Sequence, residues 1–309
     1  MWRLGDRLFG TTEKLFSLHR CARCSTDYLD PMPEPHELAG YYPQGYWVGP
    51  APDDRTGRMA RAAERYRRLV LRDHIAFVQR VIEEQQRRGL APRIIDVGCG
   101  DGSFLGALGV ECCTGMDVSM SALRAGRGRG LTLVHGSVCT GERPTAPFAD
   151  GSFSLIASFH FLEHVRNPRP VIAELRRLLH PDGDLVIQVP NKASCQAGLF
   201  GRRWSGLDVP RHLVNYSARS LCDVLQECGF TVVRQSHYSL RDNPTMLANS
   251  LVPGLYPLAR HARRGPQTGP GAWLLSATYL AVCLAALPFT LVESAFGRGA
   301  AVMVQARPA

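Results

Sequence analysis

The chain has 309 residues, 45% of them apolar, and a formal net charge of +9. That is ample for one α/β domain of roughly 200–250 residues with appendages. Ten cysteines scattered over this length argue against a secreted disulfide scaffold and for a reducing cytoplasm.

Only Lys14 and Lys192 are lysines, so 34 of the 36 basic residues are arginines, a bias that reads as genomic base composition. The positive balance permits an anionic partner, nucleic acid or lipid surface, without selecting one. Met1–Gly10 carries Arg3, Asp6 and Arg7 and no apolar run, so no signal peptide is expected. No internal repeat or long low-complexity tract is present.

Residues 1–57 read as an irregular, Pro-rich lead-in, and residues 58–309 as the main domain. Cys21-Ala-Arg-Cys24 has zinc-knuckle spacing. A structural zinc site takes four ligands, though, and no second C-x-x-C exists, while His19 and His36 form no recognised pattern. No metal is expected. Residues 58–88 predict one long helix, with Met59, Ala62, Tyr66, Leu69, Val70, Phe77 and Val81 on its apolar face. Arg58, Arg61, Arg65, Arg68 and Arg72 make a separate stripe. It reads as a solvated face, with docking to anionic lipid or a phosphorylated substrate as the alternative.

The stretch Arg93–Ser103 organises the rest. Apolar Ile94, Ile95 and Val97, interrupted only by Asp96, run into glycines at 98, 100 and 102. Phe104, Leu105 and Leu108 follow at helical spacing, which predicts a buried strand, a tight turn and a helix start. Gly98 lets the chain turn at positive φ, and Gly100 and Gly102 are expected to let a ligand lie against bare backbone N–H groups. A nucleotide-like ligand then requires a second strand about 20 residues on, ending in an acid for the ribose. Cys112–Asp117 supplies it, with Asp117 21 residues after Asp96. The dinucleotide fingerprint G-x-G-x-x-G is not matched: its third glycine would fall at Ser103.

Asp-Val-Gly-Cys-Gly-Asp-Gly at 96–102 closely resembles the first motif of class I S-adenosylmethionine-dependent methyltransferases, in the bacterial type-11/type-23-like group. The resemblance covers about residues 90–237 plus 300–306. It is carried further by the turn and strand Phe148–Ser158, by Phe159-His-Phe-Leu-Glu-His-Val165, and by the ending His180-Pro-Asp-Gly183 with strand Asp184–Pro190. It implies a Rossmann-like α/β fold with a seven-stranded, mostly parallel sheet of order 3-2-1-4-5-7-6, strand seven antiparallel. It also implies S-adenosylmethionine as cofactor. In the family picture Gly98, Cys99, Gly100 and Gly102 pass the methionyl part, Asp96 helps hold the amino end, and Asp117 with Val118 takes the ribose. Ser137 with Val138 stands where the family commonly has an acid on the adenine, and Phe159 at the cofactor's floor. Some family members begin with a four-cysteine ribbon followed by a segment similar to Tyr28–Pro33 and Tyr41–Pro43. Here the first cysteine pair is missing.

His160 and His164, four apart, would share a helical face at the fourth strand's end. A metal pair lacks a third ligand, and no Asn/Asp-Pro-Pro-aromatic tetrapeptide marks a base methylase, so no nucleic acid is expected as substrate. Residues 191–217 form a long connection of the kind that serves as a substrate lid. Trp204, Arg211 and Tyr216 within it are substrate-contact candidates, with anchoring by buried Asp208 and Arg211 as the alternative. His160, His164 and His212 are the general-base candidates, each also readable as a structural histidine.

Between strands six and seven, residues 238–299 form an insertion. Trp273–Val292 is 20 residues without formal charge, and Pro244–Ala259 is uncharged but broken by Pro253 and Pro257. Pairing of strands six and seven excludes a single membrane crossing. The reading is a membrane-touching apolar hairpin over 244–292, kinked at Pro288, with a soluble cap helix as the alternative. The function expected is methyl transfer to an oxygen or nitrogen of a lipid-like, quinone-like or lipid-linked glycan acceptor, in the cytoplasm, peripheral at the inner face of the membrane. The alternatives are a catalytically degenerate membrane-bound scaffold and, disfavoured by glycine spacing, a dinucleotide oxidoreductase.

Overall fold

The computed structural model describes residues 3–43, 46, 58–126, 130–140, 143–265 and 267–309, with only the backbone of 58–60, 62 and 63. The lead-in is not irregular throughout. β1 (Ser17–Arg20) and β2 (Asp27–Asp30) form an antiparallel hairpin, followed by α1 (Pro35–Tyr41). The Cys21/Cys24 pair sits in the hairpin's turn as free thiols, and Cys24 Sγ lies 2.8 Å from Thr26 Oγ1. The expected single helix over 58–88 is two helices, α2 (Arg58–Val70) and α3 (Arg72–Arg87), meeting at Leu71. Leu71 is itself buried, and α3 turns there to lay Val78, Val81 and Ile82 on the sheet. In the arginine stripe Arg61, Arg65, Arg68 and Arg72 are exposed, and Glu64 and Asp73 pair the last two. The side chain of Arg58 lies outside the described residues.

The main sheet grows from short apolar runs, each followed by a turn and a helix. β3 (Ile94–Val97) leads through the glycine turn to α4 (Ser103–Leu108), and β4 (Cys113–Asp117) leads to α5 (Met120–Gly126). β5 (Thr132–His135) precedes a two-residue ladder, β6 (Cys139–Thr140) with β7 (Arg143–Pro144). Then come β8 (Phe153–Phe159), α6 (Pro168–Leu178), β9 (Leu179–Pro190) and α7 (Cys195–Phe200). A short β10 (Val214–Asn215), α8 (Ala218–Glu227) and β11 (Phe230–Ser236) follow. The insertion is α9 (Asp242–Leu251), α10 (Pro257–Arg264) and α11 (Pro270–Ala295), and β12 (Ala301–Pro308) closes the sheet.

Strand order is β5-β4-β3-β8-β9-β12-β11, with β12 antiparallel to both neighbours. Numbering only these seven strands gives 3-2-1-4-5-7-6, the expected class I order. The central strands β3, β8 and β9 are buried on both faces, as parallel strands between helices require, while the edge strands β5 and β11 are partly exposed. Ile95, Val97, Ile156 and Ile187 pack against α6 and α8, while Ile94, Leu155 and Val186 pack against α3 and α4.

The two appended segments are joined, which sequence spacing did not indicate. β2 pairs with β10, so the hairpin and the 191–217 segment share one small sheet. Arg211 fastens them. Fully buried, it donates to both oxygens of Asp6 at 2.8 and 3.0 Å and to Asp208 at 2.7 Å, and its guanidinium lies over Phe9.

Candidate cofactor cleft and acceptor pocket

Two cavities open at the carboxyl ends of the parallel strands, where ligands of doubly wound sheets bind. The first, about 240 Å³, is walled by Val97 and Gly98 after β3, Met116–Val118 at the end of β4, and Gly136–Val138 after β5. His160, Phe161, His164 and Tyr42 close it. The second, about 160 Å³, lies between the 191–217 segment and α9, walled by Ser205, Gly206, Asp208, His212, Asp242 and Thr245 among others. His160 belongs to both walls.

The glycine turn works differently from the expected cradle of bare N–H groups. Gly98 N–H donates to Met116 O, Gly100 N–H to Asp117 Oδ2 at 2.8 Å, and Gly102 N–H to Cys99 O. Ser103 N–H is held by Asp101 Oδ1 at 3.0 Å. The turn's donors are thus used internally, and positive φ at Gly98, Gly100 and Gly102 is what permits it. A Cβ at Gly98 would stand 3.0 Å from the Phe161 ring, and one at Gly102 would stand 2.7 Å from Leu131. Phosphates, which such turns usually bind through free N–H groups, would find those of all three glycines already taken.

Carboxylates dominate instead. Asp117 accepts from Gly100 and Ser119 N–H at 2.8 and 2.7 Å, and burial pushes its carboxyl up. Burial, then the neighbouring Asp117, raises Asp96 to about 8, and its Oδ1 has no hydrogen-bond partner. A buried orphan acceptor beside a second acid suits a ligand bearing positive charge. The residues therefore fit S-adenosylmethionine, with its ammonium and sulfonium, better than a pyrophosphate.

His160 stands in a left-handed conformation at φ +54, just after β8. It does not share a helical face with His164, because Leu162–His164 is a single 3-10 turn. Its Nδ1 lies 3.0 Å from Glu163 Oε1, and its Nε2 lies 3.3 Å from Asp242 Oδ2 and 3.0 Å from Gln188 Nε2. Burial disfavours the charged ring, but Asp242 and Glu163 outweigh it and hold the pKa at about 9. His164 is the opposite case: burial, then nearby His212, lowers it to about 4. His164 Nδ1 lies 3.0 Å from Arg211 O, and His212 Nδ1 lies 2.8 Å from Gly206 O. A carbonyl only accepts, so in both rings Nδ1 is the donor. The two rings meet edge-on at 4.8 Å. One donor atom each from Glu163, His164 and His212 lies within 4.8 Å of the others, an arrangement able to hold a cation. His160 is not among them: the group joins His164 to its chain neighbour Glu163 and to His212 from far along the chain.

Of the cofactor-side candidates, Gly98, Asp117, Val118, Ser137 and Val138 line the first cavity, while Asp96, Cys99, Gly100 and Gly102 stand behind it. The Ser137 hydroxyl donates to Cys139 O at 2.7 Å. Phe159 is not in the wall. It packs edge-on against Phe104 and His74 on the other face of the sheet, and Phe161 occupies the cleft instead. All three histidines come together. The substrate-contact trio does not: Trp204 is buried with Leu4, Phe16 and Leu207, Arg211 is the interior clamp, and Tyr216 lies in the main core. Anchoring decides their positions, because each is more than nine-tenths buried. Glu163, Asp242 and Tyr42 complete the site unannounced. Glu163 was legible as a carboxylate directly before His164. Asp242 and Tyr42 arrive from distant segments and carry no local signal.

A family profile described as a methyltransferase domain matches residues 60–235, more than half of the chain. The Ubiquinone biosynthesis O-methyltransferase of Histophilus somni is 31% identical over 119 residues, 35% of this chain and 50% of its own. The chloroplastic Tocopherol O-methyltransferase of Arabidopsis thaliana is 27% identical over 127 residues, 38% of this chain and 35% of its own. The chain thus spans half or less of the length of these relatives. A crystal structure of a SAM dependent methyltransferase from Archaeoglobus fulgidus is 16% identical, with a TM-score of 0.48, covering 79% of this chain and 93% of that one. With its sheet order and family match together, the chain belongs to the class I S-adenosylmethionine-dependent methyltransferases, and S-adenosylmethionine is its cofactor.

Proposed function

We propose that this protein methylates a hydroxyl oxygen of a lipid-like small molecule, with the cofactor in the first cavity and the acceptor in the second. The observation that carries this is His160, one residue common to the walls of both. S-adenosylmethionine supplies a methyl group on a positively charged sulfur. Asp117 and Val118 hold the nucleoside end, Gly98 lies along the methionyl part, and Phe161 packs over Gly98. At the neck the carboxylates of Asp242 and Glu163 are balanced by the guanidinium of Arg241 and the imidazolium of His160, so the side of the cleft favourable to a cation is that of Asp96 and Asp117. Holding both reactants in line supplies about 7–11 kcal/mol of the barrier.

His212 is the proton acceptor in this reading. Its Nδ1–H is committed to Gly206, so Nε2 is the basic nitrogen, and the ring lines the acceptor cavity. His160 is a poorer choice, since its Nδ1 faces Glu163 and its Nε2 faces Asp242, and the two carboxylates hold the ring charged. The names of the two relatives support hydroxyl methylation, and the apolar insertion over the second cavity supports a lipophilic acceptor. Among the described residues α11 is long and apolar enough to cross a membrane, yet only 17% of its most apolar window is buried. Trp273 and Leu274 on it, and Phe296 just past its end, are strongly exposed. Its two ends return to one sheet through β11 and β12, so we place it on a membrane surface rather than across it.

The test is calorimetric titration with S-adenosylmethionine, followed by transfer of labelled methyl to 4-octylcatechol. The wild type binds, Asp117→Ala does not, and His212→Ala binds normally but transfers roughly 10²–10⁴-fold more slowly. Unchanged affinity in Asp117→Ala would sink the cleft assignment, and an unchanged rate in His212→Ala the base.

A further inference from the structure

A third cavity, about 770 Å³, lies between α2, α9 and α11. It is more than three times the first cavity in volume and shares Thr245 and Tyr256 with the wall of the second. The three spaces therefore follow one another, from Gly98 past His160 to Thr245 and Tyr256, and then out along α11. The composition changes along the way. The third wall is mostly hydrocarbon, including Leu69, Val70, Leu240, Leu280, Leu284 and Leu287. Four of its polar side chains are committed elsewhere: Tyr279 donates to Asn249 Oδ1 at 2.9 Å, Ser276 to Ala272 O at 2.9 Å, Thr245 to Arg241 O at 2.8 Å, and Arg241 binds Asp242 at 2.8 Å.

A groove of this kind offers nothing to a head group and much to a chain of methylenes. It would otherwise leave Tyr66, Leu69, Leu280 and Leu284, each about half exposed or more, against water. We infer that this groove is the berth of the acceptor's aliphatic tail, entered between Thr245 and Tyr256, while the reacting head lies beside His212. The inference rests on the acceptor reading above and adds where the rest of that molecule goes. The groove sets a preference for acceptors with a long unbranched or isoprenoid chain.

The experiment measures binding of 4-methyl-, 4-butyl-, 4-hexyl- and 4-octylcatechol by calorimetry, with S-adenosylmethionine present and without it, alongside methyl transfer to each. In the wild type, Kd falls roughly two- to fourfold per added methylene, the gain expected from burying it. Leu280→Glu and Cys283→Trp, which charge and fill the groove, flatten that dependence and leave 4-methylcatechol binding unchanged. Leu291→Glu, on α11 outside the groove wall, retains the full dependence. Circular dichroism melts establish that each variant folds. The same chain-length dependence in all four proteins, or none in the wild type, overturns the groove. Dissociation of a dimer by Leu280→Glu without chain-length dependence assigns the groove to a second copy and overturns it as well. Steep chain-length dependence that the groove variants abolish, but with no catechol methylated, supports the groove and refutes the hydroxyl-acceptor reading alone.

Discussion

Asp242→Asn isolates the electrostatics of the neck between the two cavities. Asp242 Oδ2 lies 3.3 Å from His160 Nε2, and it also accepts from Ser239 Oγ at 2.7 Å and Gln188 Nε2 at 2.5 Å. At an effective dielectric of about 20, two unit charges at this separation attract by about 5 kcal/mol, or between three and four pH units. Burial of the ring opposes this, and with Glu163 added the net result is a His160 pKa of about 9. The asparagine variant keeps the shape and removes the charge. Its His160 then has Glu163 alone against burial, and the midpoint falls by roughly two to three units. Histidine-labelled NMR from pH 5 to 10 reads this directly, with the His160 signal assigned by its loss in His160→Gln. A wild-type midpoint near 6.5, or one near 9 that survives in Asp242→Asn, would refute the argument.

The same shift sets a stability profile. A folded-state pKa raised from 6.5 to about 9 contributes stability that is full below pH 6.5 and lost as pH rises through 9. The amount is about 3 kcal/mol. Glu163 and Asp242, both held below their ordinary values against the pull of burial, act at the other end: their contribution is full above about pH 4 and lost on acidification. The contribution of this cluster is therefore greatest between about pH 4.5 and 6.5, and the difference in urea midpoint between wild type and Asp242→Asn narrows as pH rises through 9.

Arg211→Met leaves Asp6 and Asp208 buried without their shared cation, and unfolding free energy falls by about 3–5 kcal/mol. The denaturant midpoint measures this, and a loss under about 1 kcal/mol would show that the clamp holds nothing together. Trp273→Glu with Phe296→Glu, at exposed positions on α11 and just past its end, lowers co-sedimentation with anionic vesicles at least tenfold and leaves S-adenosylmethionine affinity unchanged. Equal sedimentation of the wild type and the double variant would remove the membrane-surface role.

How much of this was legible in the residues divides along the range of the interactions involved. The strand, glycine turn and helix at 93–108, the acid 21 residues on at Asp117, and the apolar helix past residue 270 are local patterns. Periodicity and backbone sterics set them within a few residues, and the family resemblance then supplied sheet order and cofactor. The roles of the glycine N–H groups were misjudged because hydrogen-bond partners such as Met116 O and Asp117 Oδ2 belong to the next strand. Trp204, Arg211 and Tyr216 looked like ligand contacts because large polar and aromatic side chains in a long connection usually face a ligand. Pairing of β10 with β2 turned them inward. His160 was chosen correctly as a strand-end residue, but its charge depends on Asp242, 82 positions away.

The sequence alone therefore determined the fold class, the cofactor side of the cleft and the presence of an apolar insertion, since each is written in near-neighbour spacing. Only the tertiary structure decided that His160 is held between two carboxylates, and that Phe161 rather than Phe159 lines the first cavity. It alone also showed that three cavities lie in series from Gly98 to α11. Those facts depend on packing between segments far apart in the chain, which no local pattern encodes.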